Sequence, residues 1–150
     1  MEIRICDSVK QPGWLEMRTA LWPDSNEHIH LSEMESQLGY PTRFLNLIAY
    51  DHDHLPVGFA EASIRHDYVN GTNSSPVVYL EGIYTKPAAR RLGVASQLVE
   101  QVIQWGQDLG CTELASDTNL GNSISEKFHK SIGFQETERV IYFRKDIRRG

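Results

Sequence analysis

A chain of 150 residues with 40% hydrophobic residues has the length of one globular domain, so we expect a single domain over residues 1–150. Its formal net charge of -5 at pH 7 is the wrong sign for coating a nucleic-acid backbone and favours cationic ligands. No apolar run has the length of a membrane helix, and no basic leader precedes one. We therefore expect a cytoplasmic protein without nucleic-acid or membrane partners.

The predicted elements begin with a strand, two helices and three further strands. Hydrophobic period and breaker residues place these six elements at EIRIC, WLEMRTALW, HLSEMESQL, FLNLIAY, PVGFAEASIRHD and SSPVVYLEGIYT. From Gly93 to Leu109 the apolar residues recur with helical spacing, which predicts a long amphipathic helix. A strand at CTELASDT, a helix at NSISEKFHKSI and a closing strand at ERVIYFRK follow. This order predicts a mixed α/β sheet.

The middle of this order, from Glu81 to Asp117, is a strand, a short turn, a helix and a strand. Such a crossover makes the strands that hold Glu81 and Asp117 parallel neighbours. Open sheets of this kind bind ligands beyond the carboxyl ends of such strands. The turn RRLGVAS, which opens the helix, lies at that edge.

This turn has the residues of a phosphate site. The first N–H groups of a helix have no internal partner, and the helix dipole adds positive charge there. Gly93 and Ala95 keep the backbone open to a ligand, while Lys86, Arg90 and Arg91 supply cationic surroundings. Neither GxxxxGK[ST] nor GxGxxG is present. The alternative is an ordinary glycine at a helix entry with solvated arginines.

Two spaced motifs resemble those of the GNAT superfamily of N-acetyltransferases. Arg90-x-x-Gly93-x-Ala95 resembles the R/Q-x-x-G-x-G/A signature that cradles the pyrophosphate of acetyl-coenzyme A. The superfamily pattern N-x-x-A-x-x-x-Y-x-x-x-G-F has its offsets occupied here by Asn122, Ser125, His129, Gly133 and Phe134. Over nearly the whole chain, RHDYVNG, SSPVVYLEGI, ASDT and ETERVIYFRK resemble one branch, the aminoglycoside 6'-N-acetyltransferases.

The resemblance implies a fold and an activity. The fold would be α/β (α+β), with a mixed, mostly antiparallel twisted sheet and a central parallel βαβ unit. The activity would be transfer of the acetyl group of acetyl-coenzyme A to the 6'-amine of aminoglycosides, giving antibiotic resistance. Two alternatives stay open: a GNAT enzyme for a polyamine, peptide N-terminus or lysine, and a non-catalytic acetyl-coenzyme A sensor. Because ERVIYFRK is an apolar terminal strand that could pair or swap, we expect a homodimer.

Glu81 is the candidate catalytic base. It would draw a proton from the acceptor ammonium, directly or through water. In the superfamily the end of this strand bulges away from its neighbour, and Gly82 suits such a bulge. The alternative for Glu81 is a strand carboxylate satisfied by a core partner.

The resemblance also implies an acceptor site and a co-substrate site. Asp117 and Glu138 would bind acceptor ammonium groups beside Glu81, between aromatic walls at Trp22 and Tyr68. Asp117 could instead begin a turn, Glu138 could be a solvated charge, and Trp22 could be core. Main-chain groups of Ile83, Tyr84 and Thr85 would bind the arm of acetyl-coenzyme A, and one N–H could polarise the acetyl carbonyl. The full predicted co-substrate set is Ile83, Tyr84, Thr85, Arg91, Leu92, Gly93, Val94, Ala95, Ser96 and Asn122.

Histidines raise two further questions. His129 stands where the superfamily often has a tyrosine that protonates the departing sulfur, so it is a candidate general acid, with a structural histidine as the alternative. The pairs His28/His30 and His52/His54 lack third and fourth ligands at matching spacing, and we expect solvated loops and no metal site.

Overall fold

A computed structural model of the protein describes residues 1–149. These residues divide into a larger compact unit, Met1–Asp117, and a smaller unit that begins at Thr118. The expectation of a single domain stays a prediction. The larger unit contains β1 Glu2–Ile5, α1 Trp14–Leu21, α2 Glu27–Leu38, β2 Phe44–Tyr50, β3 Pro56–Arg65, β4 Val77–Thr85, a short 3-10 helix Pro87–Ala89, α3 Val94–Asp108 and β5 Leu114–Ala115. The smaller unit contains α4 Ser123–Ser131.

The larger unit is built on one sheet with the strand order β1-β2-β3-β4-β5. The first four strands are antiparallel, and β5 runs parallel to β4 after the α3 crossover. The predicted mixed, mostly antiparallel sheet with a parallel βαβ unit is therefore confirmed. The parallel pairing is short, because it contains only Val78↔Leu114 and Tyr79↔Ala115. The predicted strand at CTELASDT is accordingly reduced to two residues, and β4 continues beyond it to Thr85.

Helices cover both faces of the sheet. On one face, Trp14 and Met17 of α1 and Met34 of α2 form a buried core with Ile48 and Phe59. On the opposite face, α3 lies so close that a Cβ atom on Gly106 would be 2.0 Å from the Val78 side chain. A Cβ atom on Gly58 would likewise be 2.8 Å from Val94. These two glycines allow the start and the end of α3 to pack against the sheet.

A buried ion pair joins α1 to the middle of the sheet. Nε of Arg18 lies 3.0 Å from Oε2 of Glu61 on β3, and both side chains are only 2% exposed. Trp14 Nε1 donates a hydrogen bond of 2.9 Å to the same oxygen. The other guanidinium nitrogens donate to the His30 carbonyl oxygen at 3.2 Å and to Glu33 at 2.7 Å. One arginine thus ties α1, α2 and β3 together.

Three predictions of local structure are wrong. The segment ERVIYFRK is not a strand, and its Ile141, Tyr142 and Phe143 side chains are exposed; an apolar strand pattern forms a strand only where a neighbour supplies the hydrogen bonds. The helical spacing of Ile124, Phe128 and Ile132 predicts a core stripe on α4, but Ile124 is 83% exposed. His28 and His30 lie in α2, not in a loop.

His30 is a buried structural residue. Its Nε2 atom lies 3.1 Å from the Trp22 carbonyl oxygen, and its side chain is almost fully buried. His52 and His54 lie in the exposed turn between β2 and β3, as expected. Across residues 1–149 no group of three or more His, Cys, Asp and Glu side chains is placed to hold a metal ion. In the same residues no helix combines the length and the apolar character that crossing a membrane requires.

The ion pair generates a stability prediction. Arg18→Met leaves the Glu61 carboxylate buried without its cation, so we expect a loss of about 3 to 5 kcal/mol in the free energy of unfolding. Urea titration followed by circular dichroism measures the loss. Arg4→Met is the control: Arg4 forms an exposed ion pair with Glu2 and should leave the unfolding midpoint nearly unchanged.

The loss should depend on pH in a defined direction. Burial raises the pKa of Glu61, and the attraction of Arg18 opposes that rise. A carboxyl group with a raised pKa in the folded state favours folding while it is protonated and loses that contribution as pH rises. The Arg18→Met deficit should therefore be smaller in mildly acidic than in mildly alkaline buffer. Equal deficits at both pH values would contradict the assigned charge state.

Candidate active site

A bulge in β4 presents the candidate base. Across β3 and β4, Glu61 pairs with Gly82 and Ala62 pairs with Leu80, so Glu81 is the extra residue of a β-bulge. A Cβ atom on Gly82 would lie 2.5 Å from the ring of Trp22. Gly82 is therefore needed where the Trp22 ring meets the strand, and the sequence expectation of a bulge at this position is confirmed.

Trp22 lies at the end of α1, partly buried against the core. The Arg18 guanidinium is 5.0 Å from the centre of its ring, and Phe59 meets the ring at 6.1 Å in an edge-on geometry. The ring therefore packs into the core on one side and meets the bulge beside Glu81 on the other. Both interpretations of Trp22, as a core residue and as an aromatic wall, fit this placement.

The Glu81 carboxylate is held through one oxygen. Ser63 Oγ donates to Oε1 at 2.7 Å, and Arg65 donates to the same oxygen at 2.8 Å. The Glu81 side chain is 34% exposed, so solvent and ligands reach it. Because Ser63 is buried, Glu81 has a core partner and is also partly exposed, so both interpretations of this carboxylate fit its placement.

Asp117 joins the same network from the end of β5. The Tyr79 hydroxyl donates to Asp117 at 2.5 Å, and the Arg65 guanidinium lies 3.6 Å from the centre of the Tyr79 ring. Burial raises the pKa of Tyr79, and its bond to Asp117 raises it further, so the phenol stays a proton donor to the carboxylate. Glu81 and Asp117 are thereby linked through Arg65 and Tyr79.

Tyr68 and Glu138, the other predicted acceptor residues, are not joined to this network by any contact described within residues 1–149. Tyr68 lies in the loop after β3 with 75% of its surface exposed. Glu138 is exposed in the smaller unit, on a segment without regular secondary structure. Their predicted roles are untested.

The turn before α3 has the geometry of an uncapped helix start. Gly93 is the N-cap, with a φ of 82° and no side chain to cap the helix. The first-turn N–H groups of Val94, Ala95 and Ser96 therefore point out of the helix without an internal partner. Arg91 also has a positive φ, 64°, which is strained for a residue with a side chain. Leu92 is exposed beside it.

Two of the three cations of this turn have protein partners. Lys86 forms an ion pair with Glu16 at 3.0 Å, and Arg90 donates to the Thr85 carbonyl oxygen at 3.0 Å. Arg91 takes part in none of the ion pairs described in residues 1–149. Arg91 is therefore the cation best placed for an anionic ligand, whereas Lys86 and Arg90 stabilise the turn.

The backbone at the end of β4 has one paired edge. Ile83, Tyr84 and Thr85 pair with β3, but the last rung with β5 is at Tyr79. The two parallel strands thus stop pairing before these residues. Beyond Tyr79 this edge of β4 has no strand partner described within residues 1–149, although the Thr85 carbonyl oxygen accepts from Arg90.

Asn122 and His129 lie in the smaller unit. The Asn122 side chain caps α4 by accepting from the Ser125 N–H at 3.1 Å. His129 Nδ1 lies 2.7 Å from the Ser125 carbonyl oxygen; because a carbonyl only accepts, Nδ1 carries the proton. The His129 ring lies between Phe128 and Phe134, with centroids at 5.7 and 5.2 Å. Both side chains therefore have contacts within α4 and its C-terminal turn, and their predicted roles toward acetyl-coenzyme A are untested.

Sequence reasoning missed the residues that hold Glu81 and Asp117. They are Ser63, Arg65 and Tyr79, and the supporting pair Arg18 and Glu61 was missed as well. One signal was present. Polar residues alternate at positions 61, 63 and 65 of β3 within an otherwise apolar strand, and such a row lies on one face of a sheet.

Comparison with known proteins adds a family to this geometry. The acetyltransferase (GNAT) family matches residues 13–134. The chain is 48% identical over 147 residues to aminoglycoside N(6')-acetyltransferase type 1 of Serratia marcescens, covering 97% of this chain and 99% of that protein. It is 50% identical over 147 residues to the same-named protein of Acinetobacter haemolyticus, covering 98% and 99%.

Solved structures of related proteins share this fold. The apo crystal structure of the 6'-N-acetyltransferase AAC(6')-IG from Acinetobacter haemolyticus has a TM-score of 0.92 at 48% identity, covering 98% of this chain and 99% of that one. AAC(6')-Iy, in complex with the bisubstrate analogue CoA-S-monomethyl-acetylneamine, has a TM-score of 0.90 at 46% identity, covering 97% and 98%. The protein described here therefore belongs to the GNAT acetyltransferase family, in its aminoglycoside 6'-N-acetyltransferase branch.

Proposed function

We infer that this protein is an aminoglycoside 6'-N-acetyltransferase, which transfers the acetyl group of acetyl-coenzyme A to the 6'-amine of the drug and so confers resistance. The observation that carries this conclusion is a match of 48% identity over 97% of the chain to an enzyme of that name. The site agrees with it, since an acidic network at the mouth of a parallel strand pair suits a cationic acceptor.

The turn before α3 fits acetyl-coenzyme A. Backbone N–H groups of Val94, Ala95 and Ser96, with Gly93 and the cation Arg91, would hold the pyrophosphate. Leu92 would contact the nucleotide part of acetyl-coenzyme A. Asn122 is proposed to contact acetyl-coenzyme A as well. Acetyl-coenzyme A supplies an acetyl group activated as a thioester. Main-chain groups of Ile83, Tyr84 and Thr85, which have no partner on β5, would bind its extended arm, with one N–H donating to the acetyl carbonyl.

Glu81 would remove the proton that the acceptor amine carries. A neutral amine is the nucleophile, and a carboxylate that is partly exposed and held in place can accept the proton directly or through water. Asp117 and Glu138 would bind further ammonium groups of the drug by charge-assisted hydrogen bonds. The rings of Trp22 and Tyr68 would bound the sugar. Fixing several charges at once orients the one remaining amine.

His129 is our candidate for the general acid. Because Nδ1 donates its proton to the Ser125 carbonyl oxygen, Nε2 is the ring nitrogen that would deliver a proton to a departing thiolate. Its contact with Ser125 within α4 also fits the alternative of a structural histidine.

The acceptor prediction follows from the base. We expect thiol release from acetyl-coenzyme A with kanamycin-like and tobramycin-like drugs, which bear a 6'-amine, and none at that position with matched drugs bearing a 6'-hydroxyl. A carboxylate can take a proton from an ammonium group near neutral pH but not from a hydroxyl group, which is a far weaker acid. Glu81 therefore cannot make the alcohol a comparable nucleophile. Mass spectrometry of the products locates the acetyl group. Faster turnover of polyamines or peptides than of every aminoglycoside would overturn the drug assignment and leave the acetyltransferase.

The phosphate site has a matched pair of glycines for its test. Gly93 and Gly110 lie at opposite ends of α3 with φ of 82° and 86°, and a Cβ atom at either meets no close contact. Gly93→Val and Gly110→Val should each cost about 1 to 2 kcal/mol of stability because of the positive φ. Only Gly93→Val should weaken acetyl-coenzyme A binding in calorimetric titration. If the two variants bind acetyl-coenzyme A with equal affinity, the assignment of Gly93 to the phosphate site is wrong.

We also propose that the protein is a cytoplasmic homodimer whose two compact units form one catalytic domain. The family match runs across the boundary between the units, which supports one domain. Acetyl-coenzyme A is an intracellular metabolite, which supports the location. Apolar side chains of the C-terminal segment are exposed in the single chain, which supports a protein partner; these are Val140, Ile141, Tyr142, Phe143 and Ile147.

The dimer is tested by multi-angle light scattering. We expect the mass of two chains for the wild type and a shift toward one chain for Phe143→Glu, because burying the new charge is unfavourable. Leu55→Glu is the control, since Leu55 is also exposed, at 58%, but lies outside the segment. A wild type with the mass of one chain at all concentrations would refute the proposal.

A further inference from the structure

Arg65 places a positive charge inside a site that is proposed to bind a cationic acceptor. Its guanidinium contacts Glu81 at 2.8 Å and lies 3.6 Å from the centre of the Tyr79 ring, whose hydroxyl holds Asp117. Arg65 therefore contacts the Glu81 carboxylate directly and is linked to the Asp117 carboxylate through Tyr79. The proposed function assigns both carboxylates to the acceptor. A like charge there weakens the attraction for a cationic drug, so its presence requires another explanation.

The bulge supplies that explanation. Because Glu81 is the extra residue between Leu80 and Gly82, it has no partner on β3 in the ladder, and the regular pleat does not fix its side chain. Ser63 and Arg65 of β3 fix it instead, and both donate to Oε1. All the hydrogen bonds described for the carboxylate are at that oxygen. Oε2 is thereby left for the proton of the acceptor.

Arg65 is itself held firmly enough to orient another group. Its planar guanidinium stacks on Tyr79, which is buried, with 7% of its surface exposed. Its side chain is 43% exposed, so it is fixed from one face. A lysine would keep the charge but would lose the flat stacking and the forked donors.

We propose that Arg65 and Ser63 are positioning residues, which orient the Glu81 carboxylate through Oε1 so that Oε2 faces the acceptor amine. This inference rests on the proposed role of Glu81 as the base. The two residues act on the reaction through Glu81 and do not touch the acceptor.

The test is a double-mutant cycle on thiol release with a 6'-amino drug. Arg65→Met should lower kcat about three- to tenfold and leave the acceptor KM unchanged or lower, because orientation is lost and a repelling charge is removed. Arg65→Lys should fall between Arg65→Met and the wild type. In a Glu81→Gln background, Arg65→Met should change kcat by less than about twofold, since a residue that acts through Glu81 has nothing left to orient.

The chain offers a matched control and a second variant. Arg4 pairs with Glu2 at 3.0 Å and lies over Tyr50 at 5.6 Å, so Arg4→Met removes a similar contact from another strand and should leave kcat unchanged. Ser63→Ala removes the other donor to Oε1. Like Arg65→Met, Ser63→Ala should lower kcat without raising the acceptor KM. It replaces Arg65→Met in the experiment if that variant does not fold.

The outcomes separate this inference from the proposed function. If Glu81→Gln leaves kcat unchanged, the role of Glu81 is wrong. If Glu81→Gln lowers kcat but Arg65→Met and Ser63→Ala do not, only the positioning role is wrong. A rise in acceptor KM with unchanged kcat in Arg65→Met would mean that Arg65 contacts the drug, and equal losses with and without Glu81 would mean a general structural effect; either result overturns the inference.

Discussion

The buried contact between Arg18 and Glu61 is the interaction on which the active-site side of this fold depends. Two charges with only 2% of their side-chain surface exposed are stable in a protein interior only when each satisfies the other. Their pairing fixes α1 and α2 against β3, and Arg18 also lies over the ring of Trp22. Trp22 in turn occupies the space that a side chain on Gly82 would need. The ion pair thus determines where α1 meets the bulge of β4.

The bulge in β4 places a second carboxylate, that of Glu81, next to this buried ion pair in the sheet. Glu61, which carries the buried charge, pairs across the sheet with Gly82, the residue directly after Glu81. Two carboxylates close in space therefore have opposite environments: Glu61 is buried and its pKa is raised by that burial, whereas Glu81 is partly exposed and held by two donors at one oxygen. The first stabilises the fold, and the second is available to an acceptor.

Local sequence patterns predicted most of the fold and part of the site. The apolar runs of β2 and β3, the helical spacing in α3 and the glycine at its start each depend on residues near one another in the chain, so a local pattern predicts them. Asp117 and Glu81 were placed together because a βαβ crossover makes their strands neighbours. Other contacts join segments that are distant in the chain, and no local pattern predicts which polar residues will meet. These are the Arg18–Glu61 pair and the contacts of Ser63, Arg65 and Tyr79.

The wrong predictions have the same cause. The segment at ERVIYFRK has the composition of a strand, but a strand also needs a neighbouring edge, which composition does not supply. His30 was expected in a solvated loop because no further metal ligands stand at matching spacing, whereas it is buried in contact with Trp22 and Arg18. For His30 contacts with distant residues decided the structure, and for ERVIYFRK the lack of a neighbouring strand among residues 1–149 did; the sequence pattern described only the segment itself.

A crystal structure of the protein with coenzyme A and a 6'-amino aminoglycoside would test the account most directly. The account predicts the 6'-nitrogen within hydrogen-bond reach of Glu81 Oε2 or of one bridging water, with Ser63 and Arg65 still on Oε1. It also predicts the pyrophosphate on the N–H groups of Val94, Ala95 and Ser96. Contacts of Asp117, Glu138, Trp22, Tyr68 and His129 with the ligands would be visible in the same structure. A 6'-nitrogen bound at another carboxylate, with Glu81 turned away from the drug, would contradict the account.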